Sequence, residues 1–162
     1  MNIKTQDELK NISKKHIILI LHNLRSAYNV GAIIRTAECL NIEEVFFCGY
    51  TATPAHPKIA KTAMGAQNYI SWRHFNNTED AIICAKNSGY YIYALETIEN
   101  AESVFIQENK ENIAILVGNE ALGIPVQLIA LCDKPIILPI SGWKNSLNVS
   151  AAVTVALFHF CS

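Results

Sequence analysis

Short apolar runs and amphipathic stretches follow one another along the chain, with lengths that suit strands and helices. The apolar runs predict strands over residues 16–22, 44–48, 69–72, 90–95, 113–117 and 136–140. The stretches with helical periodicity predict helices over residues 6–14, 30–40, 57–64, 78–87, 125–132 and 147–160. Because the strand runs lack polar alternation, both faces of the sheet are expected to be covered. The pattern therefore predicts an α/β fold with a mostly parallel sheet and helices on both faces.

The last predicted helix is apolar almost all round. One side carries Val149, Ala152, Val153, Ala156 and Phe160, and the other carries Leu147, Ala151, Val155 and Phe158. A helix of this kind is buried either in the core or in a subunit interface, and a chain of 162 residues favours the interface.

Composition indicates a single globular domain over residues 1–162, with residues 1–15 as a short helical extension. Hydrophobic residues make up 51% of the chain and charged residues 17%, which excludes a disordered or fibrous protein. The first fifteen residues lack a signal-peptide core, and the longest apolar stretch, 149–160, is too short to span a bilayer. Five cysteines without a C-x-x-C pair indicate reduced thiols and no zinc site. We therefore expect a cytoplasmic protein without a membrane segment.

The charge is unevenly distributed although the net charge is only −1. Residues 1–75 carry nine Lys and Arg against five Asp and Glu, whereas residues 76–162 carry four against nine. Two interpretations stay open: a chance asymmetry, or an N-terminal half that contacts a polyanion.

Three polar segments stand at predicted strand-to-helix junctions, and no dinucleotide-binding, P-loop, zinc-protease or serine-hydrolase motif occurs. In the first segment, residues 23–35, Asn29 sits where a helix N-cap is expected. Gly31 and Arg35 are four residues apart and share a helix face, so a helix N-terminus with an arginine predicts an anion site. An ordinary cap with a surface arginine is the alternative.

The second and third segments also allow either a binding or a purely structural role. Residues 117–125 run from a strand into a turn bounded by glycines that carries Glu120, which is expected to be buried. Residues 138–150 end a strand in a polar loop where Ser146 and Asn148 open the last helix. Ser146 is predicted either to cap that helix or to bind a substrate.

Taken together, the three segments resemble the sequence motifs of the SpoU (TrmH-like) branch of the SPOUT RNA methyltransferases, over residues 16–160. The first motif is matched by Asn23, Arg25, Asn29, Gly31 and Arg35, the second by Gly118, Asn119, Glu120 and Gly123, and the third by Pro139, Gly142 and the S-L-N-V-S run at 146–150. The resemblance implies a deep trefoil knot in the C-terminal part of the chain. It also implies a homodimer that packs through the final helix.

The resemblance further implies that S-adenosylmethionine binds within the knot and that no metal takes part. It assigns cofactor binding to Leu95, Gly118, Asn119, Glu120, Leu138, Ile140, Ser146 and Leu147. The adenine is expected among the four apolar side chains of this set. The turn at residues 118–120 is expected to supply backbone contacts on the ribose side.

The same resemblance assigns five catalytic residues for methyl transfer to a ribose 2′-hydroxyl. Arg35 is the residue that the family uses to activate the hydroxyl, and because a guanidinium is a poor base, we expect it to position and polarise the hydroxyl. Asn29, contributed by the partner subunit, and Ser146 are expected to hold an RNA phosphate or Arg35 itself. Asn148 organises the loop and Glu120 fixes the second motif. Whether Arg35 acts within its own chain or across the dimer stays open.

RNA contacts are expected from basic residues of this domain. The candidates are Arg25, Lys58, Lys61, Arg73 and Lys144. We expect tRNA as substrate before rRNA. Two alternatives remain: a non-catalytic dimer that binds RNA or S-adenosylmethionine, and methylation of a base.

Overall fold

The computed structural model describes residues 15–108 and 110–162. The strands are β1 (Lys15–His22), β2 (Ile42–Cys48), β3 (Trp72–Phe75), β4 (Tyr91–Leu95), β5 (Glu102–Ser103), β6 (Ile113–Val117) and β7 (Lys134–Ile137). The helices are α1 (Ala27–Cys39), α2 (Ala60–Ala63), α3 (Thr78–Asn87), α4 (Val126–Ile129) and α5 (Val149–Cys161), with 3-10 turns at Ala66–Asn68 and Val104–Ile106. The helix predicted over residues 6–14 lies outside the described residues.

The strands form one seven-stranded sheet in the order β3-β2-β1-β6-β4-β7-β5. Every pairing between these strands is parallel, which confirms the predicted α/β class. Parallel pairing brings the carboxyl ends of all the strands to one edge of the sheet. Open α/β sheets bind ligands at that edge, where the strand order changes direction.

Side chains of the central strand β1 alternate between two apolar layers. Ile17, Leu19 and Leu21 pack with α1 and α5, whereas Ile18 and Ile20 pack with α3 and α4 on the other face. All five side chains are almost completely buried. This confirms that helices cover both faces of the sheet and explains why its strands read as continuous apolar runs.

Several predicted elements are displaced or shortened by local backbone chemistry. The strand predicted over 69–72 instead occupies β3, because Gly65, with φ +96°, starts a 3-10 turn just before it. The helix predicted over 57–64 shortens to α2, which ends at Met64 in the left-handed region. The strand predicted over 136–140 becomes β7, which begins two residues earlier and ends two residues before Pro139.

Helix α5 packs by one of its two apolar sides only. Val153, Ala156 and Phe160 are buried against the sheet, while Val155 is 38% and Phe158 58% exposed. The helix therefore closes the core and still presents an apolar surface. Within the part of the chain that the structure describes, no helix is long and apolar enough to cross a membrane.

Candidate active site

A cavity of about 530 Å³ lies at the carboxyl ends of β4, β6 and β7. Its walls come from the segments after these three strands and from the start of α5. All eight residues predicted to bind the cofactor line it: Leu95, Gly118, Asn119, Glu120, Leu138, Ile140, Ser146 and Leu147. The structure thus brings these residues together, while their predicted ligand remains a prediction.

The turn after β6 forms one wall of the cavity and is held by its own backbone. Asn119 and Gly123 exchange two hydrogen bonds, with N···O distances of 3.2 and 2.8 Å. Gly123 has φ +68°, and a side chain there would also overlap the Glu96 carboxylate. The same carboxylate accepts the Ile124 N–H at 2.8 Å. Sequence reasoning missed Glu96, whose only signal was an acidic residue directly after a buried strand.

The buried side chain of Asn119 organises this wall. Its Nδ2 donates to the Asn23 carbonyl at 2.7 Å and to the Tyr50 hydroxyl at 2.8 Å. Its Oδ1 accepts the backbone N–H groups of Ala121 and Leu122 at 2.8 and 2.9 Å. Because both donors and both acceptor positions of the amide are used, Asn119 shapes the cavity wall and has no side-chain hydrogen bond to spare for a ligand.

Glu120 joins this turn to the start of α1. Its carboxylate accepts the backbone N–H groups of Arg25 at 2.8 Å and Ser26 at 3.0 Å, and the Asn29 side-chain Nδ2 at 3.2 Å. The expectation that Glu120 is buried is wrong, because the side chain lies exposed at the sheet edge and is satisfied by these donors. A carboxylate at a helix N-terminus is also favoured by the helix dipole.

The pKa of Glu120 predicts how this contact depends on pH. Burial alone would raise that pKa, but the N–H donors of Arg25, Ser26 and Glu120 itself outweigh it and hold the pKa below its ordinary value. A folded-state pKa below the unfolded value gives stability above the unfolded pKa, and that stability is lost as the pH falls through the folded pKa. We expect Glu120→Gln to lower the free energy of unfolding by about 1 kcal/mol at pH 7, a value discounted for solvent exposure.

Urea unfolding of both proteins between pH 7 and about pH 3.5 measures this effect. The difference between wild type and Glu120→Gln should shrink as the carboxylate is protonated. A difference that stays constant over this range would contradict an ionised Glu120.

Asn29 and Asn148 connect the first and third segments. Asn29 Oδ1 accepts the Asn148 side-chain Nδ2 at 3.1 Å, and Asn148 Oδ1 accepts the Ser150 backbone N–H at 2.9 Å. The predicted cap at Asn29 is wrong, because Ser26 caps α1. Asn148 caps α5, so of the two roles left open for Ser146 the structure excludes the cap. Asn29 lies in the first turn of α1, and its side chain is free to bridge Glu120 and Asn148. Ser146 lies exposed on the cavity wall.

The predicted anion site over Gly31 is also wrong. Gly31 is buried against residues 59–63, and a methyl group there would overlap the Thr62 hydroxyl and lie 2.6 Å from the Ile59 carbonyl oxygen. The glycine thus permits close packing of α1 against the chain before and within α2, which leaves no room for a ligand. A separation of six residues also places Asn29 and Arg35 about 120° apart around the helix.

Arg35 is exposed on α1 and does not line the cavity of its own chain. Its side chain makes no hydrogen bond or ion pair with any residue within 15–108 and 110–162. Asn29, in contrast, borders the cavity of its own chain through Asn148. The expectation that Asn29 acts from a partner subunit stays a prediction.

The basic residues predicted to contact RNA fall into two groups. Arg25, Lys58, Lys61 and Lys144 are exposed. Arg73 is exposed as well, but it donates to both Glu44 carboxylate oxygens at 2.8 Å and lies 4.5 Å from the centre of the Phe46 ring. Arg73 therefore stabilises the edge strand β3, and its contact with RNA stays a prediction.

The described part of the chain contains no set of side chains suited to bind a metal ion. No group of three or more His, Cys, Asp or Glu side chains could hold an ion there. All five cysteines are free thiols, and burial raises the pKa of Cys48 and Cys132 to about 12. These two thiols are therefore protonated and unreactive at neutral pH.

Known proteins with similar sequences and structures match nearly the whole chain. A protein of Borreliella burgdorferi, named as an uncharacterized tRNA/rRNA methyltransferase, is 31% identical over 164 residues, covering 97% of this chain and 72% of the relative. The tRNA (guanosine(18)-2′-O)-methyltransferase of Thermus thermophilus is 27% identical over 152 residues, covering 94% and 77%. The AdoMet-bound rRNA methyltransferase from Sinorhizobium meliloti has a TM-score of 0.85 at 26% identity, covering 91% and 56%.

This chain thus spans 56% to 77% of the lengths of those three proteins. The family model for the SpoU rRNA methylases matches residues 16–158, which include the sheet, the cavity and all three polar segments. The chain therefore belongs to the SpoU rRNA methylase family.

Proposed function

We propose that this chain transfers a methyl group from S-adenosylmethionine to a ribose 2′-hydroxyl of RNA, with tRNA favoured over rRNA. The observation that carries the proposal is the charge of the cavity. Among the described residues, its lining includes two carboxylates, those of Glu96 and Glu120, and no Lys, Arg or His. Such a site suits a cationic ligand and disfavours a nucleotide with several phosphates.

The cavity also fits S-adenosylmethionine in size and in the character of its walls. A volume of about 530 Å³ lies within the roughly 300–1,000 Å³ of small-molecule sites. Leu95, Leu138, Ile140 and Leu147 offer apolar surface for the adenine. The bound cofactor supplies a methyl group on a positively charged sulfur, and the two carboxylates favour that charge.

The role of Arg35 follows from its position and its chemistry. A guanidinium keeps its proton at neutral pH, so Arg35 orients and polarises the ribose hydroxyl and stabilises negative charge that develops on the oxygen. Because Arg35 lies outside the cavity of its own chain, we propose that it serves the cavity of a second copy. The Glu120–Asn29–Asn148 hydrogen bonds then keep α1, which carries Arg35, in register with the cavity wall.

We propose that the second copy packs on the exposed side of α5. Covering Val155 and Phe158 would remove an apolar surface from water, as in homodimer interfaces. Phe158→Asp should therefore shift the protein to monomers and reduce methyl transfer at least about tenfold, because a buried unpaired charge opposes association. The matched control is Ile83→Asp, which alters a residue that is 50% exposed on α3, away from this surface.

Sedimentation velocity measures the assembly of both variants. Dimers of wild type and Ile83→Asp together with monomers of Phe158→Asp would support the interface. A dimeric Phe158→Asp, or a monomeric wild type that is fully active, would contradict it.

A trefoil knot is part of the proposal and rests on the strand order. Strands β4 and β5 are consecutive in the sequence, yet β7, which comes after both in the sequence, lies between them in the sheet. The chain after β7 then forms α5 on the face of the sheet that α1 covers, and α5 packs against α1 there. The connection from β4 to β5 is the loop through which we propose that the later segment passes. A cytoplasmic location belongs to the same proposal, since RNA is the substrate.

Calorimetry with S-adenosylmethionine tests the cofactor site. Leu147→Ala and Ile140→Ala remove apolar wall surface and should each weaken binding about tenfold, because a buried leucine or isoleucine side chain contributes about 1.5–3 kcal/mol. Unchanged affinity in both variants would contradict this placement. Binding without transfer to any RNA would instead favour the non-catalytic alternative.

A further inference from the structure

Two aromatic rings lie exposed at the same edge of the sheet as the cavity. Tyr50 is 62% exposed and Trp143 is 99% exposed. Large aromatic side chains are usually buried over most of their surface, so exposure beside a site marks a surface for contact. Neither residue belongs to the motifs that identified the family.

Tyr50 is held so that its ring remains exposed. Its hydroxyl accepts a hydrogen bond from the buried Asn119 Nδ2 at 2.8 Å, and its backbone N–H donates to Asn23 Oδ1 at 3.2 Å. The preceding residue, Gly49, has φ +62°, and a side chain there would overlap Asn23. Because Asn119 lines the cavity, these contacts fix the ring next to the cavity wall.

Trp143 lies in the loop between β7 and α5. The residues on either side of it in the chain, Ile140 and Asn145, both line the cavity. A side chain at Gly142 would meet no atom within 4 Å, so this part of the loop projects into solvent. The indole therefore belongs to a loop whose neighbouring residues line the cavity.

A basic residue adjoins each of the two segments that carry the rings. Lys144 follows Trp143 directly and is exposed. Arg25 is exposed, and its backbone N–H binds Glu120, the neighbour of the Asn119 that holds Tyr50. Aromatic rings combined with basic side chains are typical of surfaces that bind single-stranded nucleic acid, where bases stack and phosphates pair with the cations.

We propose that Tyr50 and Trp143 stack on unpaired bases adjoining the ribose that enters the cavity, while Arg25 and Lys144 contact the flanking phosphates. The proposal rests on the proposed function and deepens it. It defines the substrate as RNA that is single-stranded or looped at the methylated nucleotide, because a base within a duplex cannot open its face to these rings.

Paired substitutions separate stacking from other roles of the two rings. Tyr50→Phe keeps the ring and loses the hydrogen bond from Asn119, whereas Tyr50→Leu loses both. Trp143→Phe and Trp143→Leu form the second pair. Each leucine variant should weaken binding of a hairpin RNA about tenfold, and each phenylalanine variant should bind like wild type. The affinity for S-adenosylmethionine should not change in the two Trp143 variants, and it should be equal in the two Tyr50 variants, because both lose the hydrogen bond from Asn119.

Intrinsic fluorescence provides a direct readout at Trp143. The chain has two tryptophans, so in Trp72→Phe all tryptophan fluorescence comes from Trp143. Hairpin RNA should quench that emission by stacking, whereas a fully paired duplex should not. Emission that does not change when the hairpin is added would overturn the assignment. Emission that changes with protein concentration alone would also overturn it, because a second copy would then cover the indole. So would leucine variants that bind the hairpin like wild type.

Methyl transfer by the wild-type protein keeps this test separate from that of the proposed function. If wild type transfers methyl groups and the leucine variants do so with unchanged KM, the stacking proposal fails alone. If wild type transfers no methyl group to any RNA, the proposed function fails instead.

Discussion

Replacing Arg35 with alanine should lower methyl transfer at least about a hundredfold while leaving the fold and cofactor binding intact. The Arg35 side chain is exposed, lies outside the cavity and makes no hydrogen bond or ion pair with the described residues. Its removal should therefore change the free energy of unfolding by no more than about 0.5 kcal/mol. A fall in the methyl-transfer rate without a fall in the free energy of unfolding would indicate that Arg35 acts on the substrate and not on the fold.

Arg35→Lys is the informative companion variant. It keeps the positive charge but loses the planar fork of N–H donors, so its activity should stay far below that of wild type if orientation of the hydroxyl matters. Transfer rates at saturating RNA, calorimetry with S-adenosylmethionine and thermal unfolding together separate the possibilities. Substantial turnover by Arg35→Ala would remove Arg35 from the mechanism.

The largest effect on stability is expected from Gly118→Ala in the turn after β6. A methyl group at Gly118 would overlap the Gly123 carbonyl group and lie 2.6 Å from the Ile124 backbone nitrogen. These are backbone atoms, and the turn is already closed by hydrogen bonds between Asn119 and Gly123, so nothing can move aside cheaply. We expect a loss of about 3 kcal/mol or more in the free energy of unfolding.

That loss corresponds to a fall in Tm of roughly 6–12 °C for a chain of this size. Gly142→Ala is the matched control, because the new methyl group would meet no atom within 4 Å. Thermal unfolding of both variants, with calorimetry of cofactor binding, gives the comparison. Equal Tm values for Gly118→Ala and wild type would contradict the turn geometry on which the cavity wall depends.

Elements with strong local signals were predictable from the sequence. The helix Thr78–Asn87 and the strand Ile113–Val117 have the predicted bounds. In the helix, Asn77 accepts the Asp80 N–H as its cap, and in the strand all five residues are buried. The two-residue strand Glu102–Ser103 escaped prediction, since it is too short to show a period of hydrophobicity.

The convergence of the polar segments followed from the family resemblance alone. Glu120 contacts the backbone of Arg25 across 95 residues, and Asn119 contacts Tyr50 across 69. Local periodicity carries no information on contacts at that separation. The motif residues were therefore predicted to meet, but their partners, including Tyr50 and Glu96, were not.

The errors within the motifs share one physical cause. A polar residue near a helix start can cap the helix or bind elsewhere, and spacing alone does not decide between them. Asn29 was expected to cap α1, but Ser26 does so and leaves Asn29 to bridge Glu120 and Asn148. Likewise, Gly31 serves helix packing, not anion binding.

The most direct test of the account is transfer of labelled methyl from S-adenosylmethionine to total tRNA and, separately, to rRNA, followed by nucleoside mass spectrometry. Arg35→Ala serves as the control protein. The account predicts a 2′-O-methylated nucleoside formed by wild type and absent with the variant. A methylated base, or cofactor binding without any transfer to RNA, would contradict it.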